Sequence, residues 1–200
     1  SYCVPYRLRE GYGLTREAID RGLKNSRPDL MIVVDCGTNS KESIDHLKSL
    51  GIFVLIIDHH QLTTELSENA LLINPHVNDV GQENKDWFNL SAAGLVFKFL
   101  HGLIKYRRGF DDPIANEIKL SQIIDLAGLG TIADLVPLQG ENRILAKYAL
   151  HHLRKNKRKG LLALLKESRV SNLATLSSSD VSFRLAPRIN ASGRLSDGAL

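Results

Sequence analysis

Cysteine is scarce in these 200 residues, which hold only Cys3 and Cys36. That excludes a scaffold stapled by several disulfides. Cys36 follows an aspartate at the end of an apolar run, and both cysteines are read as free thiols. No apolar run approaches the roughly 20 residues needed to cross a bilayer. The opening Ser1-Tyr2-Cys3-Val4-Pro5 lacks the basic-then-apolar plan of a signal peptide, so a soluble cytoplasmic protein is expected. Charge of one sign is not in large excess either: 26 basic against 22 acidic residues give +4. This suits a phosphate-bearing partner without pointing to one. There is no internal repeat and no initiating methionine. The chain also stops inside what reads as a new helix from Ser196, so both ends are expected to be cut.

What is present is enough apolar material for a core, 43% of residues. The expected architecture is α/β, a parallel β-sheet flanked by helices. Thr15 or Leu14 opens a helix running to about Asn25, and Arg27-Pro28-Asp29 closes it as a turn. Leu30-Met31-Ile32-Val33-Val34 is unbroken apolar sequence, the pattern of a parallel strand covered on both faces. A helix capped by Asn39 or Ser40 follows, with Ile44, Leu47 and Leu50 inward and Gly51 at its end. Ile52 to Ile57 is a second buried strand, and Ala70 to Ile73 a third. The second half is mainly helical: Ser91 to about Tyr106, one helix from Ile114 to Ile132, Glu141 to Leu153, and Gly160 to Glu167. Ser171 to Ser182 is rich in serine and reads as a connector.

In an open parallel sheet, ligands sit beyond the carboxyl ends of the strands. Both buried strands finish in an acid, Asp35 and Asp58, and His59 and His60 follow the second. One rim thus collects two carboxylates and two imidazoles, a set suited to a divalent metal. The alternative is that each aspartate merely caps a following helix. Three titratable residues directly after six apolar ones serve no packing purpose, which favours the metal. Asp134 interrupts the apolar stretch Gly130 to Leu138 and is either a helix-end residue or a buried charge with a partner. Arg188-Ile189-Asn190-Ala191-Ser192-Gly193-Arg194 offers two guanidinium groups around an amide, either a grip for phosphate oxygens or a solvated loop. The run Arg154 to Lys159 reads as a solvated helix end that complements the dipole, the alternative being added backbone contacts to nucleic acid. Among the other histidines His76 is the hardest to dismiss, because it follows Asn74-Pro75 in a rim loop.

Taken in order, Glu10-Gly11-Tyr12-Gly13-Leu14, Val34-Asp35-Cys36-Gly37, Ile57-Asp58-His59-His60, Asn74-Pro75, Ala93 to Lys98, Gly130 to Leu138, Gly140-Glu141-Asn142-Arg143 and Ala186 to Arg194 form a set. That set resembles the DHH phosphoesterases, and within them the RecJ-like branch of single-strand-specific exonucleases. The resemblance implies two Mn²⁺ or Mg²⁺ ions and hydrolysis of single-stranded DNA from its 5′ end. Carried over by position, Asp35 would bridge the metals and His59 and Asp134 would be ligands. Asp58 would orient a histidine, His60 would face the scissile phosphate, and Arg188, Asn190 and Arg194 would hold phosphate. It further implies residues 1–170 as a partial DHH domain whose Asp-x-Asp motif lies upstream. Residues 171–200 would then lead to a DHH-associated domain. The implied partners are single-stranded DNA and, with it, a helicase or single-strand-binding protein, with a monomeric state and no membrane. Two other functions are kept open: a relative acting on short oligonucleotides or phosphorylated nucleosides, and a DNA-binding module that keeps the fold without catalysis.

Overall fold

The computed structural model describes residues 2–78, 81, 85–155, 158–170 and 172–195, the last four without their side chains. The helix expected from Ser196 and part of the basic run after Arg154 lie outside the described residues. Two compact units emerge, Ser1–Glu83 with Arg188–Leu200, and Asn84–Pro187.

In the first unit a short helix α1 (Arg7–Glu10) precedes α2 (Arg16–Leu23). Thr15 starts α2 by accepting the N–H of Ala18 at 3.3 Å, and the helix buries Ala18 and Ile19. Strand β1 (Leu30–Val34), helix α3 (Lys41–Ser49), strands β2 (Phe53–Ile57) and β3 (Leu71–Ile73), and a turn of helix α4 (Pro75–Asn78) follow. The strands form a parallel sheet in the order β1-β2-β3, with Val34 opposite Ile57 and Ile57 opposite Ile73. This register brings the strand ends to one level, so Asp35 and Asp58 leave the sheet on the same side. Gly51, at φ +72°, lets α3 turn back into β2.

The core of this unit is Ile19, Val33, Ile44, Leu47, Ile52, Val54 and Ile56. It lies on the sheet face that α2 and α3 cover. β2 is buried from Val54 onward, as its apolar run predicted. β1 departs from that expectation: Leu30, Ile32 and Val34 remain 50%, 52% and 44% exposed. They point to the opposite face, at the edge of the sheet, where the helices do not reach.

The second unit is helical: α5 (Ala92–Arg108), α6 (Pro113–Glu117), α7 (Ile124–Ala133), α8 (Gly140–Arg154), α9 (Lys159–Glu167) and α10 (Ser178–Asp180). A π-helical turn, Val181–Leu185, leads into α11 (Ala186–Leu195), which crosses into the residues of the first unit. The single helix expected from Ile114 to Ile132 is broken. Arg108 donates to the carbonyls of Ala115 at 2.9 Å and Ile118 at 2.7 Å, so these oxygens are satisfied away from a continuing helix. The serine-rich segment also differs from a connector. Leu176, Val181 and Leu185 are fully buried with Leu129, Ile132, Leu153 and Leu165. No helix among the described residues is long and apolar enough to cross a membrane.

Apart from Asp125, paired with Arg158 at 2.7 Å, and Thr131, α7 is apolar, and it packs on both α5 and α8. Its glycines set the approach: a Cβ on Gly128 would lie 2.1 Å from the Ala149 Cβ and 2.8 Å from the Leu145 carbonyl oxygen. Gly128→Ala must push α8 away, and overpacking of this kind costs about 1–3 kcal/mol, partly offset by alanine's better helix propensity. The expected outcome is a fall of several degrees in the thermal midpoint, followed by circular dichroism. An unchanged or raised midpoint would show that α7 and α8 do not pack at this distance.

Candidate metal centre

β1 ends at Val34, and the next residue turns sharply. Asp35 has φ +63°, a left-handed conformation that aspartate tolerates better than most residues. Its N–H is still held by the Ile57 carbonyl at 3.0 Å. The chain then passes through Gly37 at φ +108°, where a Cβ would press on Val33 and Ile56 at 3.2–3.3 Å. This tight turn leaves the Asp35 carboxylate half exposed at the rim and drops Thr38 into the interior.

Asp58 does the opposite. Its side chain is 1% exposed, yet four donors reach it. The N–H groups of Thr38 (3.1 Å), His59 (2.8 Å) and His60 (3.3 Å) donate to its oxygens, and the His60 Nδ1 lies 2.7 Å away. Burial by itself would raise the pKa of this carboxyl. The hydrogen bonds from Thr38, His60 and the backbone outweigh burial, and the group sits below its ordinary value. With His60 Nδ1 donating to the carboxylate, the open lone pair of that ring is on Nε2.

Above this buried anion, Asp35, His59 and His60 each bring one ligand atom to within 4.8 Å of the others. The His59 Nε2 is 3.4 Å from the Asp35 Oδ1, and the two imidazole rings are 4.9 Å apart. A carboxylate oxygen joined by imidazole nitrogen fits a divalent transition ion such as Mn²⁺ better than Mg²⁺, which holds nitrogen poorly. Cys36 does not join them. Burial, then the charges of Asp58 and Asp35, push its thiol up to about 12, and it is a neutral group with its Sγ 3.7 Å from the Val34 carbonyl. Both cysteines are free thiols.

Four residues that the strand-end reading did not single out complete the surroundings. Asn74 is buried and donates to the Thr38 hydroxyl and the His60 carbonyl, both at 2.9 Å, which ties the two rim turns together. Thr38 is the partner that both Asn74 and Asp58 share. The Tyr12 hydroxyl donates to the Asp35 carbonyl at 3.2 Å, and Arg7 lies 4.7 Å over its ring. Burial and the neighbouring His59 hold His76 below the usual histidine range, so a neutral imidazole stands beside the cluster. Of these, Tyr12 and Asn74 stood in the ordered motif set and His76 had its place after Asn74-Pro75, whereas Thr38 had no local signal.

The remaining expected residues are distributed as follows. Asn190 lines a cavity of about 280 Å³ together with Arg7, Tyr12, Asp35 and Cys36. Arg188 is exposed on α11, and the Arg194 side chain lies outside the described residues. The segment carrying them is helical and not a loop. Asp134 belongs to the second unit. It is exposed at the C-terminal end of α7, so of its two readings the helix-end residue holds and the buried charge does not. An acid at that end opposes the helix dipole, and Leu135 after it takes φ +59°, a conformation usually left to glycine.

Asp58 gives this arrangement a pH signature. Its carboxyl is held below the ordinary value of 3.8. The stability it contributes is therefore complete above that value and is lost as the pH falls through the folded-state pKa. Asp58→Asn is expected to lower stability by about 1.5–3 kcal/mol at neutral pH, measured by denaturant unfolding. The gap between the variant and the unsubstituted chain should close in acid. A gap that stays constant down to the acid limit of folding would show that Asp58 is not the buried anion.

Comparison with known proteins places these features in a family. Residues 1–131 match the model of the DHH family, N-terminal domain. The single-stranded-DNA-specific exonuclease RecJ of Salmonella typhimurium is 37% identical over 198 residues, covering 98% of this chain and 34% of that protein. RecJ of Bacillus subtilis is 35% identical over 194 residues, covering 97% of this chain and 22% of that protein. The chain thus spans about a third or less of the length of these two relatives. Among solved structures, an exonuclease RecJ bound to manganese superposes with a TM-score of 0.77 at 31% identity, over 98% of this chain and 46% of that one. RecJ of Thermus thermophilus in complex with Mn²⁺ gives 0.71 at 32% identity, over 92% of this chain and 25% of that one. A strand-end Asp-His-His set opposite a second strand-end aspartate, in a chain whose first 131 residues match that model, leads to one conclusion: the chain belongs to the DHH family.

Proposed function

We propose that this chain forms part of the active site of a cytoplasmic, metal-dependent exonuclease that hydrolyses single-stranded DNA from its 5′ end in repair and recombination. The observation that carries the reading is the convergence of Asp35, His59 and His60 within 4.8 Å, above a buried Asp58 that fixes one of the two imidazoles. The names of the relatives, single-stranded-DNA-specific exonucleases, and the manganese held by the two solved structures support the substrate and the ion.

In this reading the complete site takes two Mn²⁺ or Mg²⁺ ions. Asp35, placed between them, His59 and Asp134 would be the residues that hold them. When bound, such ions supply a hydroxide nucleophile at neutral pH and polarise the phosphodiester. Asp58 keeps the His60 ring oriented, and His60 faces the scissile phosphate. Arg188, Asn190 and Arg194 hold phosphate oxygens by charge-assisted hydrogen bonds. A helicase or single-strand-binding protein would supply the substrate strand.

The test is a nuclease assay on the full-length protein that carries this chain, with 5′-labelled single and double strands and Mn²⁺. Single strands should be degraded and duplex spared. Asp35→Asn, His60→Gln and Asp134→Ala should each lower turnover by about 10²-fold or more. An Asp134→Ala variant that degrades single strands at the full rate would remove Asp134 from the site. The 200-residue chain alone, spanning about a third of its relatives, is expected to bind Mn²⁺ weakly in calorimetry and to release few mononucleotides.

A further inference from the structure

The exposed face of α8 carries a pattern that the proposed site does not use. Arg143, Lys147 and His151 follow one another at four-residue intervals, Lys155 continues the series as the residue just past the end of the helix, and all four are exposed. In a helix this spacing stacks side chains along one line, with a rise of about 6 Å per step. Ile144 and Tyr148 flank the line, 55% and 53% exposed. The opposite face holds the helix in place through Asn142, Leu145, Ala146, Ala149 and Leu153. The one acid of α8, Glu141, is already paired with Lys98 at 2.8 Å.

A merely solvated face does not need this arrangement. The outer surface of α2 shows the usual one, with Arg16 paired to Asp20 four residues on. Like charges at the same spacing repel and weaken a helix. The helix dipole explains basic residues in the last turn, where His151, His152 and Arg154 lie, but it disfavours Arg143 in the first half. Arg143 and Lys147, the like-charged pair at this spacing within α8, therefore work against the helix that carries them, and a polyanion lying along the row would relieve that repulsion. The repeat of about 6 Å is of the order of the phosphate-to-phosphate step in an extended single strand. Tyr148 and Ile144 beside the row give bases an aromatic and apolar surface on which to rest.

We infer that the α8 face is a second contact surface for single-stranded nucleic acid: Arg143, Lys147 and Lys155 track the phosphates and Tyr148 stacks a base. The choice of occupant rests on the reading of the chain as a DNA exonuclease, but the surface is tested without catalysis. The full 200-residue chain is titrated with a fluorescent oligothymidylate in EDTA, by anisotropy, between 50 and 200 mM salt (a range over which phosphate contacts weaken by about 10-fold or more). Replacing the three cations together (R143Q, K147Q, K155Q) removes three phosphate contacts. The slope of log affinity against log salt should become shallower by about 2. The thermal midpoint should stay level or rise, since the replaced side chains are exposed and repel one another. Tyr148→Ala should weaken binding by about five-fold or more and leave the slope unchanged.

An Asp35→Asn chain measured in parallel should keep the slope change, which separates failure of this surface from failure of the metal site. The inference is overturned if the triple variant keeps both the affinity and the slope of the unsubstituted chain. It is likewise overturned if the unsubstituted chain forms no salt-dependent complex, or if the triple substitution abolishes binding to phosphatidylserine vesicles while binding to the strand persists.

Discussion

The buried carboxylate of Asp58 is the constraint on which the rim of the first unit depends. A charge removed from water must be neutralised or satisfied by donors, because an uncompensated one costs several kcal/mol. Here the donors come from two separate turns. One is the backbone of Thr38 after β1, and the other is the backbone of His59 and His60 together with the His60 ring after β2. Satisfying one anion therefore fixes the separation of the two strand ends and the orientation of an imidazole in a single step. Asn74, coming from the end of β3, adds a third turn by binding Thr38 and the His60 carbonyl. Three consecutive strand ends are locked together by polar contacts that leave the Asp35 carboxylate and the outward side of His59 and His60 available.

Two aspartates at equivalent ends of neighbouring strands thus have opposite roles because their surroundings differ. Asp58 is surrounded by donors and shielded from water, which makes it an internal organiser. Asp35, in a left-handed turn and half exposed, keeps its oxygens for something outside the protein. The same contrast disposes of Cys36, whose burial beside two acids keeps the thiol protonated. The available donor set is therefore carboxylate and imidazole, without sulfur. Its chemical character is decided by which strand-end residues the fold buries as much as by which residues are present.

Much of this was legible in the linear sequence. Unbroken apolar runs ending in Asp35 and Asp58 marked parallel strands, and a parallel sheet places such ends on one rim whatever the details. Where the reading fell short, the missing information was tertiary. The carbonyls that end α6 are taken by Arg108, a side chain from the preceding helix, and no local pattern announces that. Leu30, Ile32 and Val34 are as apolar as the residues of β2, yet their exposure depends on where the helices lie. Thr38 and Asn74 look like ordinary polar loop residues until a buried anion gives them a purpose. Tyr12 stood in a recognisable motif, but its bond to the Asp35 carbonyl spans 23 residues of sequence.

The second unit follows a different logic, and the difference explains what each part of the chain can tolerate. α7 is mostly apolar because helices cover it on more than one side, and Gly128 and Gly130 let α8 and α5 come within contact distances that a methyl group would forbid. Such packing resists change at almost every position, since densely filled interiors relax only partly around an added or removed atom. The rim of the first unit is held instead by a few directional hydrogen bonds, with space left above them. A hydrogen-bonded rim can keep its geometry while presenting open lone pairs to a ligand; a sealed apolar interface cannot. The construction of the first unit therefore suits it to gather ligand atoms, and that of the second gives rigidity to the helices that carry exposed charge.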